Sequence, residues 1–325
     1  MCIRDSYQTV MKKRILTFMA ICISAVLRAG DNGSVPSVAV PSDPVSLTMG
    51  TVSAPGNYAF AADNNITAAA YMDAKVSAAV SYTMWNVEAL PKHIPTVAAA
   101  FRFGNWGFAF SARTYVDGSA YTVYDDDGAE NGICRPYDAG LSAGVAYAFG
   151  CGLSVGVVAR GVYSMIHPDY RALAAAGDVY LGYDSRYVGA TVAVTNLGMP
   201  VRYYSGAPAS YLPMLVRAGA DVRPVKGLRI GVEGDYMLNN SSWMLAAGAQ
   251  YTIMGLATVR AGYHYGPSSS GNAAILPSYA SAGVGFHFSG FSIDASYLFA
   301  NPVLKNTFSI GISYTLTTCR SRKQY

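Results

Sequence analysis

From Met214 to Tyr314 the chain alternates large apolar residues with small or charged ones, in short runs divided by turns. Phe308, Ile310, Ile312 and Tyr314 are separated by Ser309, Gly311 and Ser313, and Val284, Phe286 and Phe288 by Gly285 and His287. In Leu228–Tyr236 one face carries Leu228, Ile230, Val232 and Tyr236, the other Arg229, Glu233 and Asp235. Side chains point alternately to the two faces of a strand, so each run predicts a strand with one greasy face and one small or charged face. A soluble sandwich and a membrane barrel both satisfy this pattern. They differ in which face meets water.

The same reading along the whole chain predicts fourteen strands. The first seven lie near Val76–Trp85, Thr96–Phe103, Trp106–Tyr115, Tyr137–Phe149, Leu153–Ser164, Leu173–Tyr183 and Tyr187–Thr195. The second seven lie near Met214–Arg223, Leu228–Leu238, Ser242–Tyr251, Leu256–Tyr265, Ser278–Phe288, Phe291–Phe299 and Thr307–Tyr314. Most have about 8–12 residues, the length a tilted strand needs to cross an outer membrane.

The connections sort into two kinds. Gly104-Asn105, Gly150–Gly152, Asp184–Arg186, Pro224–Gly227, Ile253–Gly255 and Ser289-Gly290 have the chemistry of tight hairpin turns. Between them fall Asn86–Pro95, Val116–Pro136, Met165–Arg171, Asn196–Pro213, Asn239–Ser241, Gly266–Pro277 and Ala300–Asn306, mostly longer and more polar. Outer-membrane barrels show this asymmetry, with short periplasmic turns and longer outer loops. An all-β transmembrane barrel of about fourteen antiparallel strands follows, with both termini expected in the periplasm; a secreted β-sandwich is the alternative.

Composition agrees with the barrel. Of 325 residues, 52% are apolar and only 13% charged, against a usual charged share of about 25%. After the leader no apolar run reaches the roughly 20 residues of a spanning helix, so the apolar residues belong to lipid-facing sides of strands. The 25 tyrosines fit the interfacial girdles of such barrels. The net charge of +4 includes a basic leader and the Arg320–Lys323 tail, so it gives no reason to expect a nucleic-acid partner.

Residues 1–10 read as a non-native extension. From Met11, the basic Lys12–Arg14 and apolar Ile15–Leu27 predict a signal peptide ending near Ala29. Residues 31–75 are expected to form an N-terminal plug or periplasmic segment, with Ser46–Ala62 a strand-and-turn element; 76–316 form the barrel and 317–325 a tail. Cys2 and Cys22 fall in the leader region. Cys134, Cys151 and Cys319 remain, and the first two sit at opposite ends of one predicted strand, so no disulfide is expected.

A charge facing lipid at mid-depth costs about 2–4 kcal/mol. Arg217, Asp221, Arg223, Arg229, Glu233, Asp235, Arg260, His264 and Asp294 all lie opposite the apolar stripe and are therefore expected to face the lumen. Both signs are present, so neighbours can pair across the interior. The first half carries less charge and more Ala and Gly, which suits close packing against a plug.

No catalytic or metal constellation stands out. Asp125–Asn131 is an acidic cluster without EF-hand spacing, best read as a solvated outer loop. His93 and His167 are placed in outer loops and His264 and His287 in the lumen, with no metal-ligand spacing. No nucleophile motif accompanies His264, and no Gly-rich phosphate loop precedes a helix. The protein is thus expected to be no enzyme and to need no cofactor. Trp85 and Trp106, with Tyr203, Tyr204 and Tyr211, are expected to anchor at the membrane interface.

The stretch Ala193–Gly198, followed by Leu212-Pro213 and Arg217–Ala220, resembles the PorV/PorQ-type outer-membrane proteins of Bacteroidetes, relatives of the FadL hydrophobic-compound channels. Gly283–Phe286 and Gly290–Tyr297 extend the resemblance, which covers roughly Ser46 to Tyr314. It implies a fourteen-stranded barrel that docks or delivers cargo in type IX protein secretion. Asn196, Leu197, Gly198, Tyr203, Tyr204, Tyr211 and Leu212 would then form a partner-binding loop for secreted cargo proteins or a surface peptidase, with outer-membrane lipid around the barrel. The alternative is a FadL-like passive channel for hydrophobic small molecules, with an apolar pocket above a plug and a side opening at an interrupted strand.

Overall fold

The computed structural model describes residues 33–50, 58–87, 90–124, 127–267, 274–299, 304 and 306–316. The expected extension, signal peptide and tail, Cys319, and Asp125 and Asp126 of the acidic cluster lie outside the described residues.

The strands in chain order are β1 (Val76–Val87), β2 (Leu90–Phe103), β3 (Trp106–Asp117), β4 (Tyr121–Tyr124), β5 (Glu130–Cys134), β6 (Tyr137–Ala148), β7 (Leu153–His167) and β8 (Tyr170–Asp184). They continue as β9 (Val188–Gly198), β10 (Leu215–Val222), β11 (Leu228–Met237), β12 (Ser242–Ile253), β13 (Ala257–Tyr265), β14 (Tyr279–Phe288), β15 (Phe291–Phe299) and β16 (Phe308–Leu316). All of these except β4 and β5 close into one antiparallel barrel, in which β16 pairs with β1 through Val76↔Leu316 to Met84↔Phe308. These fourteen barrel strands are the fourteen that alternation predicts. Closure leaves no open sheet edge, which is how a sheet satisfies its backbone in lipid. No described helix is long and apolar enough to cross a membrane.

The faces follow the period of two. Along β7 the outward Val155 and Val157 are exposed while Ser154 and Val158 are buried. The outward band of Val, Leu, Ile and aromatic residues is the surface that such a barrel presents to lipid. At the short-turn end, Trp106 stands exposed with its ring 4.8 Å from that of Tyr147. Gly104 and Gly290 at the short turns have positive φ, which hairpin turns require.

Two expected loops are partly strand. Asn86–Pro95 belongs to a long β1–β2 hairpin, because alternation runs on through it: Ile94 is buried, and Val87 pairs with Leu90. His93 is therefore a strand residue, its Nδ1 2.6 Å from the Tyr82 hydroxyl. Val116–Pro136 contains the separate hairpin β4–β5 beyond the barrel. The β2–β3 register does not shift, yet pairing lapses at Ile94–Pro95, opposite Thr114–Tyr115. Pro95 has no N–H to give to the ladder.

The described residues 33–50 and 58–75 fill the lumen as short helices; of the strand-and-turn element expected for Ser46–Ala62, residues 51–57 lie outside the described residues and the rest is helical or turn. They comprise a 3-10 turn (Pro36–Ala39), α1 (Pro44–Thr48), a second 3-10 turn (Tyr58–Ala62) and α2 (Thr67–Tyr71). Asp43-Pro44 starts α1, since the Asp43 side chain caps Val45 N at 2.9 Å and Ser46 N at 3.1 Å, and Pro fits the first helical position. Inward glycines make room for the plug. A Cβ on Gly248 would lie 2.6 Å from Met49 O, and one on Gly156 2.5 Å from an Ile66 methyl.

The two ends of the described chain lie at opposite ends of the barrel. Ser34 N donates to Tyr211 O at 2.7 Å on the long-loop side, whereas Leu316 pairs with Val76 on the short-turn side. The described N-terminal segment therefore starts at the long-loop end. It threads down the lumen from the long-loop end because Val35 and Val40 find apolar partners there.

Candidate functional site

Part of the lumen is apolar toward the long loops. Ile94, Met237, Met244, Leu276 and Leu298 pack there with Val40 and Leu47 of the plug. Trp85 belongs to this cluster, 3% exposed and edge-on to Tyr279 at 6.3 Å between ring centroids. The expected interfacial anchor is thus an inner-face residue, since β1 continues unbroken and Trp85 keeps the phase of Ser81 and Thr83. A second apolar group joins Val35 to Val162, Ala172, Val201 and Leu212.

The expected partner-binding loop folds onto this second group. Leu212 is 1% exposed, and its carbonyl accepts from Asn239 Nδ2 at 3.1 Å. Asn196 is buried, with Nδ2 donating to Pro213 O at 2.9 Å. Tyr203 is half-buried, its hydroxyl 3.0 Å from Ser164 Oγ, and Tyr211 and Leu197 are half-buried too. Gly198 and Tyr204 remain exposed, the latter with its ring 5.6 Å from that of Tyr170. The loop therefore does not present Leu212, Asn196 and Tyr203 outward, because its apolar side chains have a nearer apolar surface to join. Tyr203 is correspondingly a loop residue packed inward, not an interfacial anchor.

Charged side chains line the interior of β10 and β11 and pair along it. Arg217 holds Glu233 and, at 3.2 Å, Asp235. Farther toward the short turns Arg229 grips Asp221 through two bonds of 2.9 and 3.0 Å, and Arg223 reaches Asp221 at 2.9 Å and Asp184 at 2.6 Å. Arg260 and Asp294 pair at 2.6 Å, and buried His264 stacks on Tyr279 at 5.2 Å. Alternation along β10, β11, β13 and β15 is what brings these side chains inside.

Sequence reading missed the charges of the first half. Arg160 bridges Asp178 at 3.0 Å and Asp63 of the plug at 3.4 Å, and Asp63 also accepts from Ser111 at 2.8 Å. Among the described residues Arg113 makes no ion pair within 4 Å; it donates to Val40 O at 3.0 Å and to Ser37 O. Lys92 pairs with Asp117. A lone charge in phase with the small residues of an Ala/Val-rich strand was the available signal. Within the plug, burial pushes the Asp43 carboxyl up, while donors from Ser46, Asn64 and Val45 pull it down.

Cavities remain inside among the described residues. One of about 220 Å³ lies between the plug and the short-turn half of β8–β11, lined by Tyr58, Asn65, Thr191, Asp221, Arg229 and Glu233. Another, about 60 Å³, lies nearer the long loops, lined by Asp63, Arg113, Arg160, Tyr180, Asn196 and Arg217. On the lipid-facing side, a groove of about 560 Å³ runs past Pro95, Val97, Leu141 and Leu173. Among the described residues, no group of three His, Cys, Asp or Glu side chains gathers as metal ligands. Cys134 is buried and Cys151 exposed, both as free thiols.

No family model and no curated protein matches the chain. Solved structures do. The chain is similar to the Ralstonia pickettii toluene transporter TbuX (13% identity, TM-score 0.60, covering 84% of this chain and 98% of that one). It is similar to the CymD monoaromatic hydrocarbon channel (14% identity, TM-score 0.62, 86% and 98%). A Pseudomonas aeruginosa FadL homologue also matches (14% identity, TM-score 0.54, 85% and 99%). The shared feature is the fold, a FadL-like outer-membrane barrel.

Proposed function

We propose that this chain is an outer-membrane channel through which small hydrophobic molecules pass passively, without catalysis. The observation that carries the reading is the apolar cluster at the long-loop end of the lumen, where Val40 and Leu47 of the plug pack on the barrel wall. A hydrophobic molecule entering along that cluster meets Trp85, Ile94 and Leu298. Similarity in fold to a toluene transporter and a monoaromatic hydrocarbon channel supports the same class of cargo.

A lapse in the barrel wall supports the side opening such a channel needs. At Ile94–Pro95 the β2–β3 ladder lapses, with Ile94 in the inner apolar cluster and Pro95 on the outer groove. Breaking the wall there costs little, because those backbone bonds are already missing. An apolar molecule would leave through that gap into lipid.

Docking for type IX secretion has less support, since the loop assigned to it turns Leu212, Asn196 and Tyr203 inward. The test is uptake of radiolabelled toluene by cells that lack hydrocarbon channels of their own and carry this chain in the outer membrane. Faster uptake than in cells with an empty vector is expected; equal uptake overturns the proposal.

A further inference from the structure

Beyond an apolar route, the charged wall of the lumen frames a second path. Four residues lining the cavity nearer the long loops each carry a buried polar atom with no hydrogen-bond partner among the described residues: Asp63 Oδ2, Tyr180 OH, Asn196 Oδ1 and Arg160 Nε. Leaving such atoms dry costs about 1–3 kcal/mol each. A cavity needs only about 10–15 Å³ to hold a water, so the 60 Å³ here holds several. The cavity is therefore built to be wet.

The larger cavity below it is polar as well. Ionic and hydroxyl side chains line it, and it extends to Asp184 and Arg223 at the short-turn mouth. Between the two lies a thin partition. Arg217 lines the upper cavity, its partner Glu233 lines the lower one, and their ion pair spans the boundary. Beside it Asn65 Nδ2 donates to Thr191 Oγ1 at 2.9 Å, closing plug to wall. At the top, Val38–Pro41 covers the upper cavity, and Arg113 clamps this strap by the carbonyls of Ser37 and Val40.

We propose that the inner face of β9–β11 is a hydrated polar conduit for water and small monovalent ions, closed by two locks. The lower lock is the Arg217–Glu233 pair and the upper lock is the strap held by Arg113. Both must open for current to flow, so the resting protein is electrically tight.

The locks can be opened separately. Glu233→Ala removes the lower block, and Arg217 keeps Asp235 as a partner, so no lone charge is stranded. Arg113→Ala frees the strap. Single-channel recording in planar bilayers with potassium chloride then compares wild type, each single variant and R113A/E233A. Barrel folding is read from heat-modifiable gel mobility. Discrete current steps are expected in the double variant alone, and the R260Q/D294N pair on another part of the wall should stay silent. A folded double variant that stays silent overturns the proposal, and so does steady current through wild type or through either single variant. If the alanine pair does not assemble, R113Q/E233Q keeps the side-chain volumes; brief openings are expected from it, and a silent folded barrel again overturns the conduit. Toluene uptake does not enter this readout, so failure of the apolar route and failure of the conduit are distinguishable.

Discussion

Asp178 of β8 accepts the backbone N–H of Asn196 of β9 at 2.6 Å, within a β-bulge where the β8–β9 register shifts between Gly177 and Val179. The carboxylate stands in for a ladder carbonyl, and Asn196 takes a positive φ of 59° to reach it. The same carboxylate holds Arg160, and through Arg160 the plug residue Asp63. One side chain thus joins a strand irregularity to the seating of the plug.

Asp178→Ala should remove both functions and leave buried Arg160 with only its 3.4 Å contact to Asp63. Breaking a buried pair in this way costs about 3–5 kcal/mol. Urea titration of the barrel folded into lipid vesicles should show a loss of that order, with Asp178→Asn losing less because it still accepts from Asn196 N.

The plug is seated by absent side chains. Gly248→Ala places a Cβ 2.6 Å from Met49 O, a backbone atom that cannot swing aside. Overpacking of this kind costs about 1–3 kcal/mol. Limited proteolysis should cut within the plug region faster in this variant, with the barrel itself intact.

Neighbouring residues on β7 should respond oppositely to charge and to truncation. Val157 is 48% exposed on the lipid side and Val158 is 3% exposed inside. Val157→Arg should weaken folding into vesicles by about 2–4 kcal/mol, whereas Val157→Ala should be mild and Val158→Ala should cost packing against the plug.

Leu212 and Tyr204 separate the two readings of the long loop. Leu212→Ala should destabilise by about 2–5 kcal/mol as a buried core truncation, measured as a lower unfolding midpoint. Tyr204→Ala, at an exposed site, should leave the midpoint unchanged, and toluene uptake by cells carrying it should match wild type.

Ile94→Arg should put a charge into the inner apolar cluster at the gap in the β2–β3 ladder. If hydrophobic cargo leaves by that gap, toluene uptake should fall while heat-modifiable mobility still reports a folded barrel. Unchanged uptake would move the exit elsewhere.

Much of this architecture is legible from local pattern. Alternation in runs such as Phe308–Tyr314 places Ile310 and Ile312 outward and Ser309 and Ser313 inward, with no knowledge of neighbours. The alternation of tight and long connections orders the strands, and charges such as Glu233 and Asp294 declare the inner face by the cost of facing lipid. Errors arose where pattern gave way to composition. Prolines and polar residues in Asn86–Pro95 read as a loop, and that break hid the phase that carries Trp85 inside.

The sequence by itself determined the number of barrel strands, which face of each is apolar and on which side each turn lies, because a period of two is a property of adjacent residues. Tertiary structure alone decided what fills the barrel. Residues 33–75 carry no strong local signal, and their short helices are held by inward glycines and by partners far along the chain, such as Asn65 with Thr191. It also decided that Arg113 would grip backbone carbonyls and that Arg160 would join Asp178 to Asp63. These contacts exist only once the sheet has closed and brought distant strands around a common interior. The long loop's inward turn has the same origin: Leu212 is buried because closure set Val162 and Ala172 within its reach.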